Sequence, residues 1–136
     1  MIPKFRAWLP TLKWMCNVSA ILFDVKSLDV YKMGDTERVT EMSVNQDEVT
    51  LMQSTGLFDK NGTEIFEGDV VRFGHLFDGF LNRVVWDKDS ATFKLEPLET
   101  YWSHTYFSNF KNETIKHLEV IGNIYKNPKL TEVSDD

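Results

Sequence analysis

The sequence holds a single cysteine, Cys16, in 136 residues. An intrachain disulfide is therefore impossible, and a reducing compartment is the natural expectation. Histidine is also scarce: His75, His104 and His117 stand far apart from one another and from Cys16. Zinc sites usually announce at least one close ligand pair, so no metal or cofactor is expected. A Cys–His nucleophile has no local support either, and Cys16 reads better as a small buried hydrophobe. No apolar run is long enough to span a bilayer. The opening residues, with Lys4 and Arg6, are broken by Pro10, Lys13 and Asn17 and make a poor signal peptide. A cytoplasmic protein with no membrane partner is the expectation.

An excess of positive charge is missing too. The chain carries 15 Lys and Arg against 21 Asp and Glu, a net charge of −6. Residues 1–55 hold six basic and seven acidic side chains, 56–126 eight and eleven, and 127–136 one and three. No segment is a basic stripe, which disfavours binding duplex nucleic acid through its phosphates. What the chain does have is aromatic weight, with ten Phe, four Trp and four Tyr. Such residues suit a β-rich core, where large flat side chains fill the space between pleated faces.

Alternation of polar and apolar residues marks strands. Lys4–Trp8 alternates, and Pro10 turns the chain. A second strand is expected to end in Ile21-Leu22-Phe23-Asp24-Val25, with Lys26-Ser27 turning into Leu28–Tyr31. Residues 36–46 are indistinct, equally suited to a helical turn or a strand. Val49–Thr55 alternates again. Asn61-Gly62 predicts a two-residue type I′ hairpin turn, and Gly68-Asp69 leads into Val70–Phe73. Further strands are expected at Leu81–Trp86, Ala91–Leu95 and Leu118–Tyr125, the last with a glycine bend. Short strands with Gly, Asn and Asp turns at near-regular spacing indicate a small barrel or roll. The expectation is a mainly β protein: an N-terminal β-rich subdomain over 1–55, a five-stranded SH3-like barrel over 56–126, and an acidic C-terminal tail over 127–136.

Three blocks resemble the YopX family of phage and prophage proteins. The opening Ile2-Pro3-Lys4-Phe5-Arg6-Ala7-Trp8 is similar to the family's first strand, with Lys13 and Met15 fitting its Lys-x-Met. Leu51–Val71 follows the family pattern Met-Gln-x-Thr-Gly-Leu-x-Asp-x-x-Gly-x-x-Ile-x-x-Gly-Asp almost throughout. Glu119–Tyr125 with Pro128 resembles its closing block. Leu9 and Leu12 depart from the pattern in the first turn. The resemblance implies a β-rich fold with an SH3-like barrel and a small cytoplasmic protein made in an infected or lysogenic bacterium. It transfers no activity to any residue.

Candidate sites divide into those with a sufficient structural reason and those without. Gly56, Gly62, Gly68 and Gly122 lack the strand–glycine–helix context of a phosphate cradle and read as turns. Asp59, Glu64, Glu67 and Asp69 form an acidic cluster suited to a cation or to acid/base work, but EF-hand spacing is absent, and Asp59 and Asp69 are better placed to accept local backbone bonds. Arg72 and Arg83 are expected on adjacent strands, either as a small cationic spot or, the default on an outer face, as solvated side chains. The best candidate surface is aromatic: Tyr101, Trp102, His104, Tyr106 and Phe107, with Phe77 and Phe80. Loop aromatics beside a barrel stack on peptides or bases, although they also serve as core caps. No catalytic constellation is present. The expected role is noncatalytic binding of a host or phage protein, with single-stranded nucleic acid binding and self-assembly into a homo-oligomer as alternatives.

Overall fold

The computed structural model describes residues 3–73, 80–98, 105–106 and 115–131. The expectation of a mainly β protein holds, and the strands are antiparallel throughout. The chain divides into two compact units, Met1–Gln53 and Ser54–Asp136.

The first unit is one sheet. Its strands are β1 (Phe5–Leu9), β2 (Trp14–Leu22), β3 (Ser27–Lys32), β4 (Met42–Asn45) and the first half of β5 (Thr50–Phe58), in the order β4-β3-β2-β1-β5. Register follows the alternation. Ala7 lies opposite Cys16 on β2 and Leu51 on β5, and Leu28 lies opposite Val44. These side chains share a face, and Ala7, Leu9, Cys16, Leu28, Val30 and Val44 form a buried core. Burial of each large apolar side chain contributes roughly 1.5–3 kcal/mol. The first turn forms despite its departures from the family pattern. The Lys13 amide bonds the Pro10 carbonyl at 3.2 Å, and Lys13 itself takes the left-handed conformation at φ 55°.

The second strand stops earlier than its apolar run suggests. β2 ends at Leu22, and Lys26 at φ 54° closes the turn, so Phe23, Asp24 and Val25 are turn residues rather than strand. The indistinct segment resolves into turns followed by β4. Asp35 organises it: its carboxylate accepts the Val39 amide at 3.2 Å, the Thr40 amide at 2.7 Å and the Thr40 hydroxyl.

The second unit contains the rest of β5, β6 (Glu64–Phe66), β7 (Asp69–Phe73), β8 (Phe80–Asp87), β9 (Thr92–Pro97), β10 (Thr105–Tyr106) and β11 (Leu118–Asn123). Its main sheet runs β10-β9-β8-β7-β11, around a core of Ile65, Val71, Val84, Leu95 and Leu118. The expected closed barrel over 56–126 is not found among the described residues, where the sheet is open and ends at β10 and β11. Closure would need pairing between these two edge strands. β9 begins at Thr92, and Ala91 at φ 52° belongs to the preceding turn instead of the strand. The bend expected at Gly122 is present as a register shift between Val120 and Gly122.

The Asn61-Gly62 hairpin forms, but not as a two-residue type I′ turn. Asp59 donates its amide to the Thr63 carbonyl at 2.8 Å, and Gly62 donates to the Asp59 carbonyl at 3.0 Å. Gly62 has φ +81°, whereas Asn61 is not among the positive-φ residues. This is a three-residue loop, a type I turn followed by a left-handed glycine. The Asp59 side chain accounts for the choice, because its Oδ1 accepts the amides of both Asn61 and Thr63 at 2.8 Å.

Candidate interaction surface

The polar residues of the Leu51–Val71 block are occupied in holding the second unit together. The second carboxylate oxygen of Asp59 accepts the Val120 amide at 2.8 Å, and the Lys60 amide donates to the Leu118 carbonyl at 3.0 Å. The 59–60 turn thus covers main-chain groups of β11, whose neighbour on the other side is β7, and Lys60 pairs with Glu119 at 3.4 Å. Exposed strand edges invite pairing with other chains, so this cover has a clear physical use. Asp69 accepts the Phe66 amide at 2.8 Å and lies 3.4 Å from the Asn123 side-chain amide. Gly68, between them, donates to the Val84 carbonyl at 2.8 Å and accepts the Ile124 amide at 2.9 Å. Its φ of +87° is the conformation that favours glycine.

The β5 bulge is built the same way. Pairing with β6 shifts between Ser54 and Phe58. The Ser54 hydroxyl donates to Glu64 at 2.6 Å, and the Thr55 hydroxyl donates to the Ile65 carbonyl at 2.7 Å. The same hydroxyls accept the Gly56 and Leu57 amides at 3.0 and 3.1 Å. Asp59 and Asp69 accept local backbone amides as expected, and Glu64 instead accepts the Ser54 hydroxyl ten residues away. Among the described residues, no group of three or more His, Cys, Asp and Glu is placed to hold a metal ion.

The aromatic candidates are only partly within view. Phe77, Tyr101, Trp102, His104 and Phe107 lie outside the described residues. Phe80 opens β8 opposite Phe73, and Tyr106 stands on β10 opposite Lys94, both placed by backbone register. The cationic spot is half neutralised. Arg83 forms an ion pair with Glu96, and Lys94 lies 3.6 Å from Asp87. Arg72 lies opposite Leu81, two positions from Arg83 along β8. Cys16 is fully buried, and burial pushes its thiol pKa up.

The described apolar surface gathers elsewhere, at the β2–β3 turn. Phe23 is 83% exposed, Val25 63% and Leu22 42%. Beside them lies a groove of about 220 Å³, walled by Ile21, Leu22, Phe23, Leu28, Val49 and Leu51. Single exposed hydrophobic residues are ordinary, and Leu12, Met33, Val39, Phe58 and Trp86 are others, but here three lie within four positions of the chain beside a groove. A broader depression adjoins it, lined by Val25, Lys26, Asn45, Gln46 and Asp47, with Gln46 common to both. The sequence hides this surface because Phe23 and Val25 look like the end of an apolar strand. The legible signal is Asp24 between them and Lys26-Ser27 after them, which together mark a turn.

The fold and its exposed surface define a small two-unit antiparallel β protein whose central sequence block is scaffold. The YopX protein family model matches residues 4–132, and the chain belongs to that family. It is similar to the crystal structure of protein EF1440 from Enterococcus faecalis, with a TM-score of 0.59 and 26% identity. That likeness covers 97% of this chain and 99% of the other. No curated protein matches the chain.

Proposed function

We propose that this chain is a phage- or prophage-encoded, noncatalytic protein that binds a host or phage protein in the bacterial cytoplasm. The observation that carries the reading is the β2–β3 turn, where Leu22, Phe23 and Val25 stand exposed beside an apolar groove. Burying one such large side chain contributes roughly 1.5–3 kcal/mol, so a turn that keeps three in water is suited to a partner. The phage origin is supported by family membership. Support for single-stranded nucleic acid is weaker, because Arg83 and Lys94 are both engaged by carboxylates. The aromatic stretch around Tyr101–Phe107 is a second candidate surface for the same role.

Photo-crosslinking in bacterial cells tests this directly, with a photoreactive phenylalanine at position 23 and, separately, at position 102. A discrete protein adduct from position 23, lost on adding Val25→Ser, is the expected result. An adduct from position 102 alone would move the surface to the aromatic stretch. No adduct from either position would overturn the reading.

A further inference from the structure

We infer that the groove beside the β2–β3 turn accepts a large apolar side chain from an extended, basic segment of another protein, a proposal that rests on reading this turn as a binding surface. The groove holds about 220 Å³, below the roughly 300–1,000 Å³ typical of small-molecule sites. That volume suits a side-chain anchor better than a cofactor. Its walls are mainly aliphatic, with Ser27 and Gln46 as polar lining. Recognition through an apolar anchor in a pocket is the usual core of a protein interface.

Charge selects the partner. Asp24, Asp47 and Glu48 are exposed on the turn and beside the adjoining depression, where Lys26 is the one basic residue among the described lining. Asp24 and Asp47 make no ion pair among the described residues. A second copy of this chain would bring acidic rims together, and a phosphate backbone would meet the same repulsion. A segment with Lys or Arg beside its anchor meets opposite charge, which speeds encounter and rejects acidic competitors.

Main-chain pairing at the Asn45 end of β4, nearest the groove, is hindered. The Gln46 amide donates to the Lys26 carbonyl at 2.8 Å, so by antiparallel alternation the Asn45 amide faces away from β3. That amide is taken by Glu48 at 2.8 Å, which blunts the edge of a four-residue strand. At this end of the strand, side chains carry the recognition.

The test uses three fluorescein-labelled decapeptides read by anisotropy against the full chain. One carries a central Leu-Phe flanked by lysines, one the same centre flanked by glutamates, and one lysines around Ala-Ala. The lysine-flanked Leu-Phe peptide is expected to bind at least about tenfold tighter than either control, a difference of about 1.4 kcal/mol. High salt should erase its advantage over the glutamate peptide. Phe23→Ser, at an exposed position, should weaken binding about tenfold with the circular dichroism spectrum unchanged. Asp24→Lys with Asp47→Lys should reverse the charge preference.

Equal binding of the two Leu-Phe peptides overturns the charge assignment, as does no binding by any peptide. In either case a crosslink from position 23 in cells would leave the turn standing as a binding surface. A concentration-dependent dimer abolished by Phe23→Ser also overturns the proposal, because it makes a second copy the occupant. Peptide binding that survives Phe23→Ser removes the groove from the interaction altogether.

Discussion

Asp59 joins two stretches of chain that are 61 residues apart, with one oxygen on its own turn and the other on Val120. The residue is buried, and removing its carboxylate leaves the Asn61, Thr63 and Val120 amides without their acceptor, of which Val120 is half-buried. Asp59→Ala is expected to lower unfolding stability by about 3 kcal/mol, since hydrogen bonds to charged groups contribute about 1.5–3 kcal/mol and the orphaned amides add a penalty. Asp59→Asn should cost less, because one carbonyl oxygen remains as an acceptor. Urea denaturation measures both, and a loss under about 1 kcal/mol for the alanine variant would contradict the assigned role. Asp35 gives the pH counterpart. Bonds from the Thr40 hydroxyl first, then the Thr40 amide and those of Val39 and Arg38, hold its pKa below the ordinary value of 3.8. A depressed carboxylate pKa stabilises the native form above the unfolded value, and the contribution is lost as pH falls through the folded one. The Thr40 amide resonance should therefore shift with acid at a midpoint below 3.8. A midpoint at or above 3.8 would refute the bonding pattern.

Elements were legible from the chain wherever one face alternates, and misjudged where a single side chain sets the backbone. The alternation in Lys4–Trp8 and Val49–Thr55 marks β1 and β5, although β1 is buried on both faces, with Arg6 and Trp8 covered as well as Ala7 and Leu9. The 61–62 hairpin was placed correctly but given the wrong turn, because its geometry depends on what the Asp59 carboxylate accepts. The end of β2 was missed for a related reason: a left-handed lysine closes the turn where glycine would have signalled it. The apolar groove is not legible in the chain, since it needs Val49 and the β5 residue Leu51 beside Ile21–Phe23. The glycine bend in β11 was visible, but its partner was not. A methyl group on Gly122 would sit 2.5 Å from Leu130 Cδ1 and 2.8 Å from Asn127 Oδ1, in the 3₁₀ turn Pro128–Thr131 and the residue before it. Asn127 Oδ1 also accepts the Asn123 amide at 3.2 Å. Gly122→Ala should displace these flexible side chains at a cost of about 1–2 kcal/mol. Faster hydrogen exchange at Asn123 and Tyr125, with β2 and β3 unaffected, is the expected signature. Uniform exchange across both units would count against a local role for the glycine.

Across the whole molecule, net charge and exposed apolar surface oppose each other. At neutral pH the charge of −6 keeps copies apart. That protection fades as the solution approaches the isoelectric point near 5.0. Phe23 and Val25 at the β2–β3 turn remain in water throughout. Turbidity of concentrated protein should therefore rise near pH 5.0 and clear on return to neutral. If the turn drives this association, Phe23→Ser with Val25→Ser suppresses it at unchanged net charge. Lys88→Ser, in the turn between β8 and β9, gives a comparison away from the patch. It shifts the isoelectric point slightly and leaves the association in place. Equal turbidity from the double variant and the unchanged protein would show that charge loss alone governs self-association. The β2–β3 turn would then have no special adhesiveness, and the argument for a partner at this surface would lose its whole-molecule support.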